Sequence, residues 1–378
     1  MFIAALLGIF LQTPLQTAGE FSPAMQARLE ERLEAYLAAG RVPGISCGVS
    51  APAASVALAA GRRDRRHAEP MRPDDLLCAG STGKTFVAAL ALQLVGEGTL
   101  ALDLLAGELL GTAEWFEQLP NAETLVLSDL LAHRTGLPRY EFQPAFVRDL
   151  LKKPEHVWKP EELLSYVLGH VPAFPAGQSF VYSDTNYILA GMMIERASGE
   201  ELYALADERL LGPLGLTHVR PQRARRIEGL VQGHAGANDP LGFPEFVLDE
   251  SGVFCTNPQF EWAGGGFVTN GGDLARWARA LYGGDALSPE LRALMLSARP
   301  APELGPGIGY GLGVIAWKTP QGEALGHEGF FPGYMSVMRY WPAHDVAVAV
   351  QVNTSESAAL PGGLGELCDE LCALVLTP

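Results

Sequence analysis

Between residues 76 and 95 the hydrophobic pattern changes period within a single turn, and this restricts the possible folds more than any other stretch. Leu76 to Ala79 reads as the end of a buried segment. Phe86, Val87, Leu90, Leu94 and Val95 then recur at helical spacing. Ser81 therefore falls at or just inside a helix N-terminus, with Lys84 three residues on. Positions i and i+3 share a helix face, so an amine stands beside a hydroxyl where backbone N–H groups point outward. A serine is a weak nucleophile until a neighbour takes its proton, and a desolvated lysine can be that neighbour.

Two plainer readings compete. A capping serine followed by a solvated lysine is the commoner meaning of Ser-x-x-Lys. A phosphate-binding loop is the other, because Gly83-Lys84-Thr85 follows a strand-like run and opens a helix. That loop requires a glycine five residues before Gly83, and Cys78 occupies the place.

The rest of the chain places this segment in a mixed fold. Ser22-Pro23 reads as a cap and first helical residue, with Leu29, Leu33, Tyr36 and Leu37 forming one apolar stripe up to Gly40. Ile45 to Val49 and Ser55 to Ala60 read as a hairpin around Pro52. Helix signals then dominate to about residue 262. Leu125 to Leu131 reads as a helix stopped by Gly136, Pro160 to Val171 as a short helix, and Tyr187 to Ala197 as a helix closed by Gly199. Residues 233 to 262, rich in Gly, Pro and Asn, read as loop. Strands are expected at Gly264 to Thr269, Gly309 to Trp317, Leu325 to Gly329, Met335 to Tyr340 and Val346 to Val352, with helices at Asp273 to Leu281 and Leu364 to Val375. This order predicts an α+β fold in which terminal helices flank an antiparallel sheet and a mostly helical lobe is inserted. The α/β lobe is expected at about 20–102 and 263–376, and the helical lobe at about 103–262.

A chain of 378 residues with a net charge of −16 can build a large core, and its charge argues against nucleic acid or an anionic membrane as main partner. Met1 to Leu11 has the length of a signal-peptide core and is too short to span a bilayer. With Ala18-Gly19 as a cleavage site, residues 1–19 read as a signal peptide, which implies a periplasmic or secreted protein with no stable membrane span after processing. The five cysteines, an odd number without C-x-x-C, signal no disulfide framework, and the histidines give no metal-ligand spacing. No metal or cofactor is expected. Oligomeric state is not legible.

Two further stretches supply chemistry that a Ser–Lys pair needs, namely a proton for the leaving group and donors for an oxyanion. In Phe180-Val181-Tyr182-Ser183-Asp184 a tyrosine precedes a helix, where surrounding cations would lower its pKa and let it shuttle protons. In Gly326-His327-Glu328-Gly329-Phe330, His327 and Gly329 share one face of an extended segment, offering a cleft an imidazole and bare backbone. A buried tyrosine and a structural histidine are the plain alternatives. Lys318-Thr319 is a rival lysine-bearing stretch, but Pro320 follows it and supplies no strand N–H.

Ser81-Thr82-Gly83-Lys84, Tyr182-Ser183-Asp184 and His327-Glu328-Gly329 together resemble, in order and approximate spacing, the three motifs of the serine β-lactamase and penicillin-binding protein superfamily. Tyrosine in the second motif is similar to the class C β-lactamase, DD-carboxypeptidase and esterase branch. Leu130-Leu131-Ala132-His133-Arg134-Thr135-Gly136-Leu137, Gly212-Pro213-Leu214-Gly215-Leu216, Gly264-Gly265-Gly266 and Pro332-Gly333-Tyr334 agree with that branch. The resemblance implies Ser81 as acylated nucleophile, Lys84 as its deprotonating partner, and Tyr182 as general base and then donor to the leaving group. It implies an oxyanion hole from the backbone N–H groups of Ser81 and Phe330. His327 would orient Tyr182 or a substrate carboxylate, and Asp184 would hold Lys84 charged. The implied function is a serine hydrolase acting through an acyl-enzyme on D-amino-acid peptides or small esters. A β-lactamase with true turnover, and a non-catalytic wall-peptide-binding or self-assembling protein, are the alternatives.

Overall fold

The computed structural model of the protein describes residues 19–377, so the expected signal segment lies outside the described residues except for Gly19. Two central strands, Gly44–Ser50 and Val346–Val352, are buried along their whole length and pair antiparallel. They lie within a nine-stranded sheet running in the order 19–20, 54–61, 44–50, 346–352, 334–341, 322–331, 315–319, 309–310 and 299–300. All neighbours are antiparallel except the first pair. A period of two assigns side chains to faces. Val346, Val348, Val350 and Val352 join the core beneath the terminal helices, while Ala347 and Ala349 join the core on the opposite side.

The terminal helices are Pro23–Ala39 and Leu364–Leu376, packed on the sheet and on each other. Ser22 caps the first, accepting from Met25 N at 3.2 Å, and Leu29, Leu33 and Tyr36 are its buried stripe. The other face of the sheet carries the helix Gly271–Tyr282. That helix approaches so closely that a Cβ at Gly48 would stand 2.0 Å from Gly271 O, which explains the two glycines.

The helix Lys84–Gly96 has almost every side chain buried, including Lys84, so its apolar pattern is that of a core helix rather than an amphipathic one. The helix Asp184–Ser198 packs against it and ends at Gly199 with φ 75°. A small three-stranded sheet, ordered 77–78, 267–269 and 220–221, leads into the Ser81 turn. Four expectations shift. The strand expected over Gly309 to Trp317 is two, Gly309–Tyr310 and Ile315–Thr319, paired antiparallel. The helix Leu127–Leu131 ends at Ala132, and the left-handed residue nearest its end is His133 (φ 54°), before Gly136 (φ 73°). The helix at Pro160 is shorter than expected, Pro160–Leu164 followed by a 3₁₀ turn Ser165–Val167. The loop expected to run through residue 262 contains a 3₁₀ segment, Pro258–Gly264. Among the described residues no helix is long and apolar enough to cross a membrane.

Candidate active site

Ser81 lies on a 3₁₀ turn, Gly80–Gly83, that runs directly into the helix beginning at Lys84. Backbone packs on backbone around this turn, which is why glycines surround it. A Cβ on Gly80 would lie 2.5 Å from Phe330 O, one on Gly83 2.6 Å from Gly265 O, and one on Gly265 2.3 Å from Gly80 O. Ala79 O accepts from Thr82 Oγ1 at 2.8 Å and from Ser336 Oγ at 2.7 Å, pinning the turn to the strand Tyr334–Trp341. Ser81 itself is half-buried.

The pairing predicted by the i,i+3 spacing is present. Lys84 Nζ donates to Ser81 Oγ at 2.9 Å and also to Gly264 O. It lies 2.7 Å from Asp184 Oδ1, an ion pair whose angle falls outside hydrogen-bond geometry. Burial works against the charged amine, but Asp184, Tyr182 and Glu261 outweigh it and raise the lysine pKa, so Lys84 rests as an ammonium.

Tyr182 enters from the segment before the helix Asp184–Ser198, and His133 builds that segment. Val181 N donates to His133 O at 3.1 Å, Ser183 N to His133 Nδ1 at 3.3 Å, and the His133 and Tyr182 rings pack with centroids 4.0 Å apart, tilted by 34°. Thr135 Oγ1 bonds Asn186 Oδ1, and Asn186 Nδ2 donates to His133 Nδ1 at 3.1 Å. Tyr182 N donates to Glu303 Oε2 at 2.9 Å. The Lys84 ammonium stands 5.1 Å from the Tyr182 ring centroid. Tyr182 Oη is sealed from solvent and makes no aligned hydrogen bond, although Ser81 and Lys84 are near enough to favour its ionised form. Burial outweighs the lowering by Lys84 and raises its pKa, so the net lowering expected from cations does not result and the resting group is a neutral phenol.

The third motif lies on the strand Gly322–Phe331, but not as an imidazole facing a cleft. His327 is 1% exposed, with Nε2 2.9 Å from Tyr310 Oη and Nδ1 2.6 Å from Glu328 O. A ring whose Nδ1–H faces a carbonyl leaves Nε2 to accept from the tyrosine. Burial, then the Lys84 charge, lowers its pKa to about 3, so it is neutral. No hydrogen bond joins it to Tyr182, whose ring centroid is 6.2 Å away. The expectation that it orients Tyr182 or holds a carboxylate is corrected: both nitrogens are used inside the fold. Gly329 is likewise a packing residue rather than bare backbone for substrate, since a Cβ there would lie 2.0 Å from Ala79 O. Phe330 presents its backbone to Gly80 and is itself 37% exposed.

Sequence reasoning passed over four charged or polar contributors. Arg139 Cζ lies 5.4 Å from the Tyr182 ring centroid and 4.3 Å from that of exposed Phe142, and its Nε is 2.6 Å from Glu141 Oε1. Glu141 and Glu261 are both buried acids near Asp184. Burial, then the Asp184 charge, raises Glu141 to about 7 and Glu261 well above the usual carboxylate range. Tyr310, in a two-residue strand, holds His327. No motif marks these residues; Glu261 lies on the 3₁₀ segment where the composition reads as loop. Its neighbour Trp262 has φ 36° and ψ −117°, a backbone state costing about 1–3 kcal/mol that persists where packing imposes it. Among the described residues no group of three His, Cys, Asp or Glu side chains is arranged to hold a metal ion.

The family model described as Beta-lactamase matches residues 29–365. An unguisins hydrolase of Aspergillus campestris is 28% identical over 316 residues, which cover 77% of this chain and 54% of that protein. The chain thus spans about half the length of such curated relatives. Among solved structures, a D-stereospecific amidohydrolase from Streptomyces sp. superposes with a TM-score of 0.76 at 26% identity, covering 90% of this chain and 96% of that one. A D-amino acid amidase from Ochrobactrum anthropi SV3, complexed with D-phenylalanine, gives 0.77 at 25% identity over 94% of this chain and all of the other.

Proposed function

The chain belongs to the beta-lactamase family of serine hydrolases, and from that premise we propose that it cleaves amide or ester bonds through a covalent acyl-enzyme on Ser81. The observation that carries this reading is the 2.9 Å contact between Lys84 Nζ and Ser81 Oγ in a buried setting. Lys84, once it has lost a proton, takes the Ser81 proton as Oγ bonds to the carbonyl carbon. Tyr182, a phenol at rest, gives its proton to the leaving nitrogen or oxygen as that bond breaks, and regains one from the Lys84 ammonium. The backbone N–H groups of Ser81 and Phe330 hold the oxyanion, where one lost donor typically costs ~3 kcal/mol of barrier. Asp184 acts through Lys84, while His327 and Gly329 shape the strand beside the turn.

The substrate class is peptides or amides of D-amino acids, with small esters accepted. The similarity to a D-stereospecific amidohydrolase and to a D-amino acid amidase supports this choice over lactam turnover. We also place the protein outside the cytoplasm, on the signal-type stretch Met1 to Leu11, which the N-terminus of the mature protein would test.

Incubation with a fluorophosphonate and with a fluorescent penicillin, followed by intact mass, tests the acyl-enzyme. One adduct located on Ser81 and absent from Ser81→Ala is expected; no adduct with either probe would overturn the reading. D-phenylalanine amide, a D-Ala-D-Ala peptide, p-nitrophenyl esters and nitrocefin then rank substrates. Turnover of nitrocefin above every amide and ester would replace the amidase reading with a lactamase.

A further inference from the structure

Tyr182 must deliver a proton to one departing atom, yet among the described residues none gives its hydroxyl an aligned hydrogen bond. The place of the phenol is therefore set by contacts made elsewhere on the residue. The chain here is extended, with Ser183 at φ −153° and ψ 125°. Successive N–H groups of an extended chain point to alternate sides. Those of Val181 and Ser183 turn to His133, bonding its carbonyl at 3.1 Å and its Nδ1 at 3.3 Å. The N–H of Tyr182 faces the other way, and there it donates to Glu303 Oε2 at 2.9 Å.

Glu303 comes from a different part of the fold, the turn of the edge hairpin that pairs Arg299–Pro300 with Gly309–Tyr310. Local bonds make this turn firm. Ala301 is buried, and Pro302 opens a 3₁₀ turn, Pro302–Leu304. Leu304 N donates to Ala301 O at 3.0 Å, Gly305 N to Pro302 O at 3.2 Å, and Ala301 N to Ile308 O at 3.0 Å. Leu304 and Ile308 pack against the apolar cluster that holds Phe180, Tyr182 and Tyr310. Tyr310 meets the Phe180 ring at 5.5 Å and the Tyr182 ring edge-on at 6.2 Å, and its Oη lies 2.9 Å from His327 Nε2. One hairpin thus touches both the second and the third motif. Apolar contacts fix no direction, whereas a carboxylate on an N–H does, and such a charge-assisted bond is about twice as strong as a neutral one. Glu303 is itself exposed, so truncating it opens no cavity in the core.

Building on the acyl-enzyme reading, we propose that Glu303 is a positioning residue for the leaving-group step: its carboxylate fixes the backbone of Tyr182 and so aims the phenol at the departing atom. In amide cleavage the Tyr182 proton passes to nitrogen as the C–N bond breaks and ammonia leaves. Activation of Ser81 by Lys84 does not depend on that aim, because the short turn between the two residues already brings them to 2.9 Å. Loss of Glu303 therefore slows each substrate according to how much its leaving group needs a proton.

Three reactions separate the steps. D-phenylalanine amide needs a proton on its leaving group, whereas p-nitrophenyl acetate and a fluorophosphonate expel p-nitrophenolate and fluoride without one. The amide and the ester are followed as kcat/KM and the phosphonate as the rate of Ser81 labelling, in wild type, Glu303→Ala and Glu303→Gln. Glu303→Ala should lose about tenfold or more on the amide, part of the hundredfold or greater effect typical of a general acid. Its ester hydrolysis and labelling should stay within about twofold of wild type. Glu303→Gln keeps a carbonyl oxygen at the same reach and should recover most of the amide rate. An equal loss in all three reactions would make Glu303 a merely structural residue, overturning the proposal while leaving the acyl-enzyme intact. Amide cleavage by Glu303→Ala within about twofold of wild type, or no recovery in Glu303→Gln, would overturn it in the same way. Wild type that neither labels on Ser81 nor cleaves the amide would overturn both.

Discussion

Lys84 and Asp184 form an ion pair inside the protein, Nζ to Oδ1 2.7 Å, with side chains 0% and 8% exposed, directly beneath the Ser81 hydroxyl. Such a pair adds little net stability compared with apolar packing, yet breaking it leaves a bare charge in a low-dielectric setting. The catalytic proposal and the stability of the core therefore meet in one contact.

Asp184→Asn should destabilise the protein by roughly 3–5 kcal/mol at neutral pH, the usual cost of orphaning one member of a buried pair. It should also move the rise of Ser81 labelling to lower pH, because the charge that holds Lys84 protonated is gone. Urea unfolding and fluorophosphonate kinetics check the two arms. An unchanged pH profile would show that the pair does not govern the amine.

Gly329→Ala forces a methyl group to within 2.0 Å of Ala79 O and 2.3 Å of Ser336 Oγ. Neither atom is a free chain end, since Ser336 is bonded to the same carbonyl. Overpacking of this kind costs about 1–3 kcal/mol. The strand must retreat from the Ser81 turn, and a displacement of about 1 Å at a reacting centre can cost on the order of a hundredfold in rate. Esterase activity of folded Gly329→Ala within twofold of wild type would contradict this account of the glycine.

Tyr310→Phe removes the hydroxyl that serves His327 Nε2 and leaves a buried acceptor unpaired. The expected loss is about 1–3 kcal/mol of stability. The paired variant Tyr310→Phe/His327→Phe should lose less than the sum of the two single changes, which a double-mutant cycle in urea would detect.

His234 offers a pH test away from the catalytic turn. It is fully buried, neither ring nitrogen has a partner, and its ring meets Phe246 edge-on at 5.3 Å. Burial, then Arg65, lowers its pKa from 6.5 to about 3, with Asp64 opposing. The neutral form is the one the fold accepts. Its contribution is therefore complete above pH 6.5 and is lost as the pH falls from there toward 3, at about 1.4 kcal/mol per unit. His234→Leu should be free of that loss, so its advantage over wild type in thermal unfolding should grow between pH 6 and 4. A constant difference across that range would refute the assignment.

The helix after Ser22, the hairpin at Ile45, the strand pair at Met335 and Val346, and the closing helix were all legible because each follows from period or capping within a few residues. The mixture of these elements predicted the α+β class. His133 shows the limit. Its motif could be matched, but its task, shaping the Tyr182 segment through backbone, ring and Nδ1 contacts, spans some fifty residues of chain.

By itself the sequence determined that a hydroxyl at 81 and an amine at 84 share a face, because three residues along a helical turn is a local distance set by backbone geometry. Only the tertiary structure decided the charge each group carries. Whether Lys84 is an ammonium, Tyr182 a phenol, His327 a neutral ring or Glu261 a carboxylic acid depends on burial and on partners far away in the chain, such as Asp184 and Gly264 for Lys84. Desolvation and Coulomb energy depend on distance through space, and no spacing along a chain encodes that.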